Sequence, residues 1–109
     1  LVTKGAGGGY YVFDIPVAEN LDLKKAAKAV GEKSIAMLPQ KELLPLTGYV
    51  HGGCSPVGMK KQFPTVFHET VELFDTICVS AGKIGAQVEV APADLIALLG
   101  AQTADITVE

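Results

Sequence analysis

Glycine and proline interrupt the apolar stretches of this chain so often that only short strands and helices fit between them. The 109 residues include 12 glycines and 6 prolines, while hydrophobic residues make up 49% of the sequence and charged residues 19%. That hydrophobic share supports one buried core, and about 100–150 residues is the usual size of one domain. No apolar run approaches the ~20 residues of a membrane-spanning helix. The sequence therefore predicts a single small globular domain with no membrane contact.

Most of the predicted elements are strands. Residues 10–15 are aromatic and β-branched, which favours a strand, and the glycine cluster at 5–9 predicts a hairpin turn from an earlier strand at 1–3. Ala86, Val88 and Val90 alternate with polar residues, which predicts a half-buried strand. Further strands are predicted at residues 34–38, 65–68 and 76–80, with a last one around Ile106 and Val108.

Two or three helices are predicted between these strands. Asp22 precedes residues 23–30 as a candidate N-cap, and Gly31 follows them as a helix stop. Pro92 in a first turn and Gly100 after the last residue predict a helix over residues 95–99. Short helical turns are expected around residues 41–44 and 69–74. Many short strands with a few helices between them indicate an α+β domain.

Charge is distributed unevenly along the chain. The net charge is −3, but residues 1–61 hold eight lysines against five acids, whereas residues 62–109 hold one lysine against seven. The acidic total excludes a basic coat for duplex DNA, while the first half can still present a local basic face. All nine basic residues are lysines. Contacts with phosphate must therefore use lysine, backbone amides or hydroxyls instead of bidentate guanidinium groups.

The cysteines and histidines do not form a metal-binding motif. Cys54 and Cys78 lie 24 residues apart without a C-x-x-C pair, and no secretory segment precedes them, which favours a reduced cytoplasmic setting. His68 has no acid or cysteine at ligand spacing, so no metal is expected. His51 and Cys54 are three residues apart, and a thiol-dependent hydrolase built on them is one hypothesis. The simpler interpretation is a surface histidine and a small apolar cysteine, because catalytic dyads are normally assembled by the fold.

The segment at residues 48–61 carries the strongest functional signal. Consecutive glycines allow the backbone to approach a ligand closely and to direct N–H groups towards it. Pro56 stiffens the loop, and Lys60 and Lys61 follow directly. The pattern predicts a small pocket of backbone donors beside two cations, suited to a carbonyl or ester on a phosphate-bearing carrier. A glycine-rich turn with a solvated lysine pair is the alternative that composition leaves open.

The run Gly-Tyr-Val-His-Gly-Gly-Cys-Ser-Pro-Val-Gly-Met-Lys-Lys at residues 48–61, with Phe-Pro-Thr at 63–65, resembles the signature loop of the YbaK/EbsC-type aminoacyl-tRNA editing domains. These include bacterial Cys-tRNA(Pro) deacylases and are related to the insertion domain of prolyl-tRNA synthetase. The resemblance covers almost the whole chain, since further blocks agree in order. They lie at residues 15–18, 21–29, 78–83, 92–95 and 104–106.

The resemblance implies a compact α+β domain on a mixed, barrel-like sheet with short flanking helices. It also implies hydrolysis of mischarged tRNA in trans without a cofactor or metal, with the aminoacylated 3′ end of tRNA as partner and prolyl-tRNA synthetase as a second. The substrate's own thiol would attack its ester carbonyl, so Cys54 is not the expected nucleophile. Backbone groups of Gly52, Gly53 and Ser55 would form the catalytic pocket. The expected substrate-binding residues are Gly52, Gly53, Cys54, Ser55, Pro56, Lys60, Lys61, Ser80 and Gln87.

Two departures from the family pattern bear on activity. The essential lysine of the family belongs to a Lys-Thr-Leu-type stretch directly before the position of Leu1, so the chain is expected to lack its N-terminal portion. Gln87 stands where some relatives have a functional aspartate. The 109 residues alone are therefore expected to be a poor catalyst, and a non-catalytic module that binds tRNA or a synthetase is the second alternative.

Overall fold

A computed structural model describes residues 1–16, 18–50, 53–59 and 62–108. Strands and helices alternate along this part of the chain. The strands are β1 (Val2–Gly5), β2 (Tyr10–Asp14), β3 (Ile35–Met37), β4 (Thr65–His68), β5 (Ile77–Ser80), β6 (Gln87–Val90) and β7 (Gln102–Ala104). The helices are α1 (Leu23–Val30), α2 (Gln40–Thr47), a 3₁₀ helix (Glu69–Leu73) and α3 (Pro92–Leu99). None of the helices in the described part of the chain is both long and apolar enough to cross a membrane.

Five strands form a mixed sheet in the order β3-β1-β2-β4-β7, and β5 pairs with β6 in a separate hairpin. The β1–β2 and β1–β3 pairs are antiparallel, whereas β4 runs parallel to both β2 and β7. The parallel register places Asp14 at the end of β2 beside Phe67 of β4. The expected α+β fold with a mixed sheet is confirmed. The hydrogen-bonded ladders among the described residues do not show a closed barrel.

Local sequence signals explain where several elements begin and end. Asp22 Oδ1 accepts hydrogen bonds from the Lys24 and Lys25 amides at 2.9 and 3.1 Å, as an N-cap of α1. Gly31 ends α1 in the left-handed conformation with φ of 75°, and Gly100 ends α3 in the same way with φ of 61°. The glycine turn before β2 closes a hairpin, because the Gly5 amide donates to the Gly9 carbonyl at 2.8 Å.

The core is divided between the two faces of the sheet and a third cluster under the hairpin. Val12 packs with Leu43 and Met59 on one face, while Phe13 packs against the alanines of α1 on the other, as the alternation of a strand requires. The third cluster joins Phe67 to Val71 and Leu95. This third cluster borders the candidate site.

Three expectations about elements differ from the structure. The last strand is β7, and the strand expected at Ile106 and Val108 is not formed by these two residues. Ile106 is instead buried in the segment that follows β7. Strand β6 forms as expected, but Val88 is 44% exposed because the hairpin stands apart from the main sheet. Helix α2 is longer than the turn expected at residues 41–44 and contains Pro45. Proline has no backbone N–H, so one carbonyl of the preceding turn has no amide partner in the helix. Pro45 is exposed, and this carbonyl can reach water.

Candidate functional site

A cavity of about 300 Å³ opens where β2 and β4 end, beside the 3₁₀ helix and the β5–β6 hairpin. This volume is at the lower end of the roughly 300–1,000 Å³ usual for small-molecule sites. Its walls are mainly apolar, with a few polar groups that converge on the space. The apolar lining comprises Ile15, Pro16, Pro56, Phe67, Val71, Phe74, Ile77 and Val79, and the polar lining comprises Asp14, Cys54, His68, Thr70, Cys78, Ser80 and Gln87.

The fold brings together four of the residues that the sequence suggests for substrate binding. Cys54 and Pro56 of the glycine-rich loop line the cavity together with Ser80 and Gln87 of the hairpin. Ser55 is buried, and its Oγ accepts a hydrogen bond from the Val57 amide at 3.3 Å. The remaining predicted residues Gly52, Lys60 and Lys61, together with His51 of the alternative dyad, lie outside the described residues.

Gly53 is packed directly against the hairpin backbone. A Cβ at this position would lie 3.0 Å from the Ile84 amide nitrogen and 3.1 Å from the Lys83 carbonyl carbon. Any other residue would therefore require the hairpin backbone to shift by a few tenths of an ångström. The Gly53 amide donates to the Val50 carbonyl at 3.0 Å. Because its amide already has an acceptor, Gly53 does not offer this group to a ligand in this conformation. It contributes to the site by letting the loop backbone lie close to the hairpin backbone.

Tyr49 links the same loop and hairpin at a second point. Its hydroxyl donates to the Val57 carbonyl at 2.6 Å. Its ring and hydroxyl lie so close to Gly58 and Gly82 that a Cβ at either glycine would come within 2.9 Å of Tyr49. Both glycines also have positive φ angles, of 75° and 95°. Loop and hairpin thus form one wall whose two sides are held together by close backbone packing.

Cys54 carries a thiol that is poorly suited to act as a nucleophile. Burial raises its pKa, and the negative field of Asp14 acts in the same direction, while the Thr47 hydroxyl opposes them. Because the attacking species is the thiolate, a raised pKa reduces the reactive fraction at neutral pH. Cys54 and Cys78 are both free thiols. The electrostatic surroundings therefore do not favour the thiol-dependent hydrolase.

Two polar residues of the cavity have no sequence motif. Asp14 Oδ2 is buried and has no hydrogen-bond partner among the described residues. Burial raises the pKa of Asp14. The one available sequence signal is a carboxylate at the end of an otherwise aromatic and β-branched run, Tyr-Tyr-Val-Phe-Asp-Ile at residues 10–15.

His68 joins β4 to the segment after β7. Its Nδ1 accepts a hydrogen bond from the Ile106 amide at 3.3 Å, and its Nε2 lies 3.5 Å from the Thr107 hydroxyl. Because Nδ1 accepts a hydrogen bond, it carries no proton, and Nε2 is the protonated ring nitrogen. Within the described ranges, no group of three or more His, Cys, Asp and Glu residues has the geometry to hold a metal ion. His68 is therefore a structural residue that also lines the cavity.

Comparison with known proteins gives a consistent family assignment. The sequence profile of the aminoacyl-tRNA editing domain matches residues 1–98. A protein of Enterococcus faecalis with the assigned name Cys-tRNA(Pro)/Cys-tRNA(Cys) deacylase EbsC is 51% identical over 107 residues, which are 98% of this chain and 65% of that protein. The chain thus spans about two thirds of the length of this relative.

Two solved structures are similar over the whole chain. One, described as a trans-editing enzyme for prolyl-tRNA synthetase, has a TM-score of 0.91 and 32% identity, with 68% of its own chain covered. The other is a scaffold from the computational grafting of linear epitopes, with a TM-score of 0.92, 32% identity and 69% of its chain covered. The mixed sheet and the separate hairpin are therefore features shared with these structures.

Proposed function

The chain belongs to the aminoacyl-tRNA editing domain family, and from this premise we propose that the protein removes cysteine from mischarged tRNA(Pro) in trans. The observation that carries the proposal is the cavity, which is lined on one side by the family's glycine-rich loop. Its volume suits an aminoacyl group and not a nucleic-acid strand. The tRNA itself would lie outside, with only its charged 3′ end inserted.

A separate editing site has a clear physical reason. A pocket built for proline cannot strongly reject cysteine, because small differences in an apolar pocket are worth only about 1–3 kcal/mol. A second, hydrolytic site supplies the missing discrimination. The proposed partners are therefore the tRNA and, as a source of mischarged tRNA, prolyl-tRNA synthetase. Both act in translation, and we propose a cytoplasmic location for the protein.

We assign the chemistry to the substrate's own thiol. Its sulfur forms a bond to the ester carbonyl carbon, the bond from that carbon to the ribose oxygen breaks, and the thiol proton passes to the ribose oxygen. The products are a cyclic cysteine thiolactone and free tRNA. This route needs no nucleophile from the protein, in agreement with the raised pKa of Cys54.

The protein's part is to hold the ester and stabilise the developing negative charge on its oxygen. We propose that backbone groups of Gly52, Gly53 and Ser55 shape this part of the pocket, with Gly53 acting through its close approach to the hairpin. Loss of one oxyanion donor typically costs about 10²–10³ in rate. Ser80, Gln87, Cys54 and Pro56 line the cavity, and we propose that they contact the substrate.

Lys60 and Lys61 are proposed to hold the terminal phosphate or ribose of the tRNA. They follow the cavity-lining part of the loop in sequence. In the absence of arginine, lysine charges and backbone amides are the groups left for this task.

The decisive experiment measures deacylation by the protein in its full natural length. Cys-tRNA(Pro) is expected to be cleaved with release of thiolactone, whereas Pro-tRNA(Pro) and Ser-tRNA(Pro) are spared, since neither carries a thiol. If the protein bound tRNA without cleaving the ester, it would be the non-catalytic binding module instead. Equal cleavage of the cysteinyl and seryl esters would contradict attack by the substrate thiol.

A further inference from the structure

Tyr49 contacts two backbone turns, one in the glycine-rich loop and one in the β5–β6 hairpin. Its hydroxyl donates to the Val57 carbonyl at 2.6 Å. Its ring fills the space beside Gly82, where a Cβ would lie 2.9 Å from a ring carbon. The Tyr49 backbone is itself anchored, because its amide donates to the Thr47 hydroxyl at 3.1 Å. Tyr49 is not part of the described cavity lining, so it can act on the site only through the backbone that it touches.

In the loop, the Tyr49 hydroxyl completes the hydrogen bonding of Val57. The Val57 amide donates to Ser55 Oγ at 3.3 Å, and its carbonyl accepts from Tyr49. Pro56, which lies between Ser55 and Val57, lines the cavity. The proline ring restricts φ at this position, so the two bonds of Val57 determine how the rest of the turn is oriented. The Tyr49 hydroxyl therefore helps to orient Pro56.

In the hairpin, Tyr49 packs against the turn that orients Ser80. The Gly82 amide donates to Ser80 Oγ at 3.2 Å, and Gly82 has a φ of 95°, a conformation that favours glycine. The bond from Gly82 uses a lone pair of Ser80 Oγ and not its proton. Ser80, which lines the cavity, can thus still donate a hydrogen bond to a substrate.

We propose that Tyr49 is a positioning residue of the editing site, which holds Pro56 and Ser80 in the arrangement that the aminoacyl ester requires. This inference rests on the proposed function. Gly58 and Gly82 flank Tyr49 closely and have no side chains of their own, so the Tyr49 side chain fills the space beside both turns. Such packing has a strong effect on rate, because a displacement of about 1 Å in a site can cost about 10²-fold.

The test removes only the hydroxyl of Tyr49 and retains its ring. In the full-length protein, Tyr49→Phe is expected to lower kcat for Cys-tRNA(Pro) about tenfold, because the loop turn loses one of its two bonds at Val57. The KM should change by less than about twofold, since contacts with the tRNA outside the cavity are retained.

Tyr11→Phe is the matched control. The Tyr11 hydroxyl also donates at 2.6 Å, to Glu32 Oε2, and Tyr11 lies outside the described cavity lining. Because its acceptor is a carboxylate, the control should lower the Tm at least as much as Tyr49→Phe. Its kcat should stay within about twofold of the original value. An equal fall of kcat in both variants would overturn the inference, because lost stability would then explain it. An unchanged kcat in Tyr49→Phe would overturn it as well.

Amide hydrogen exchange, followed by NMR, separates this inference from the proposed function because it needs no substrate. The Val57 and Gly82 amides each donate to a serine Oγ. Tyr49→Phe is expected to speed exchange at both amides by at least about fivefold, and Tyr11→Phe at neither. If this result is found in a protein that does not cleave Cys-tRNA(Pro), the proposed function fails while the positioning of both turns by Tyr49 stands. If either amide keeps its original exchange rate in Tyr49→Phe, the inference is wrong.

Discussion

At the scale of single residues, the chemistry depends on which thiol attacks the ester. Cys54 belongs to the glycine-rich loop and lines the cavity, but burial raises the pKa of its thiol. Cys54→Ala is therefore expected to keep kcat for Cys-tRNA(Pro) within about threefold of the original value, because the substrate supplies the sulfur. Cys78→Ala removes the other cavity thiol and serves as the matched control. A loss of more than about a thousandfold with Cys54→Ala alone would identify this residue as the nucleophile.

Asp14 gives a second prediction at the residue scale, which concerns how the stability of the protein changes with pH. Its pKa is raised above the ordinary 3.8, so ionisation is more costly in the folded protein than in the unfolded chain. The folded state is then favoured below about pH 3.8, and this advantage is lost as the pH rises through the raised pKa. Because asparagine does not ionise, the Tm of Asp14→Asn relative to the original protein should increase from pH 3 to pH 8. Thermal unfolding followed by circular dichroism measures this.

A Tm difference that stays constant across this pH range would show that Asp14 ionises as easily in the folded protein as in the unfolded chain. Asp75→Asn is the control, because it removes a carboxylate from an exposed position.

Single residues also show how far the sequence predicts the site. Cys54 and Pro56 belong to a glycine-rich loop with recognisable spacing, and Ser80 and Gln87 belong to blocks that resemble the family. Asp14 and His68 join them only because β2 and β4 end at the same edge of the sheet. That adjacency depends on a parallel pairing between strands about 50 residues apart, which no local pattern encodes.

At the scale of elements, the cavity depends on the contact between the glycine-rich loop and the β5–β6 hairpin. Gly53→Ala should separate them, because its Cβ would lie 3.0 Å from a backbone nitrogen that belongs to the hairpin. The expected result is a loss of at least about tenfold in kcat/KM, measured with Cys-tRNA(Pro), while the circular dichroism spectrum is retained.

Gly85→Ala is the matched control for this change. Gly85 lies on the same hairpin, and no atom lies within 4 Å of its Cβ position, but its φ is 78°. The control should thus cost about 1–2 kcal/mol of stability through backbone strain alone, with little effect on activity. Equal losses of activity in the two variants would show that stability, and not the contact at Gly53, determines turnover.

Elements are predictable here where a local signal marks both ends. Helix α1 matches its predicted bounds because Asp22 caps one end and Gly31 ends the other. The position of the last strand is not predictable in this way, since Ile106 is buried by tertiary packing although it lies outside β7. Likewise, the alternation of β6 predicts a strand but cannot show that its hairpin leaves the main sheet.

At the scale of the whole molecule, basic and acidic residues are divided between the two halves of the sequence. The lysine excess lies in residues 1–61, whereas residues 62–109, which supply much of the cavity wall, are strongly acidic. The acidic second half of the chain repels the tRNA backbone, so we expect binding to depend on a few lysines of the first half. Lys60→Ala and Lys61→Ala are expected to raise KM for Cys-tRNA(Pro) and to leave kcat almost unchanged, because they would contact phosphate and not the ester.

The dependence of tRNA affinity on salt concentration identifies lysine–phosphate contacts directly. Each lost phosphate contact should reduce the slope of log affinity against log salt by about 0.7 for a single-stranded 3′ end. Lys28→Ala removes one lysine charge from helix α1, which packs against the other face of the sheet, and should leave the slope unchanged. Filter binding of tRNA(Pro) at several salt concentrations gives the slopes. If Lys28→Ala reduced the slope as much as Lys60→Ala, total charge and not the loop would hold the tRNA.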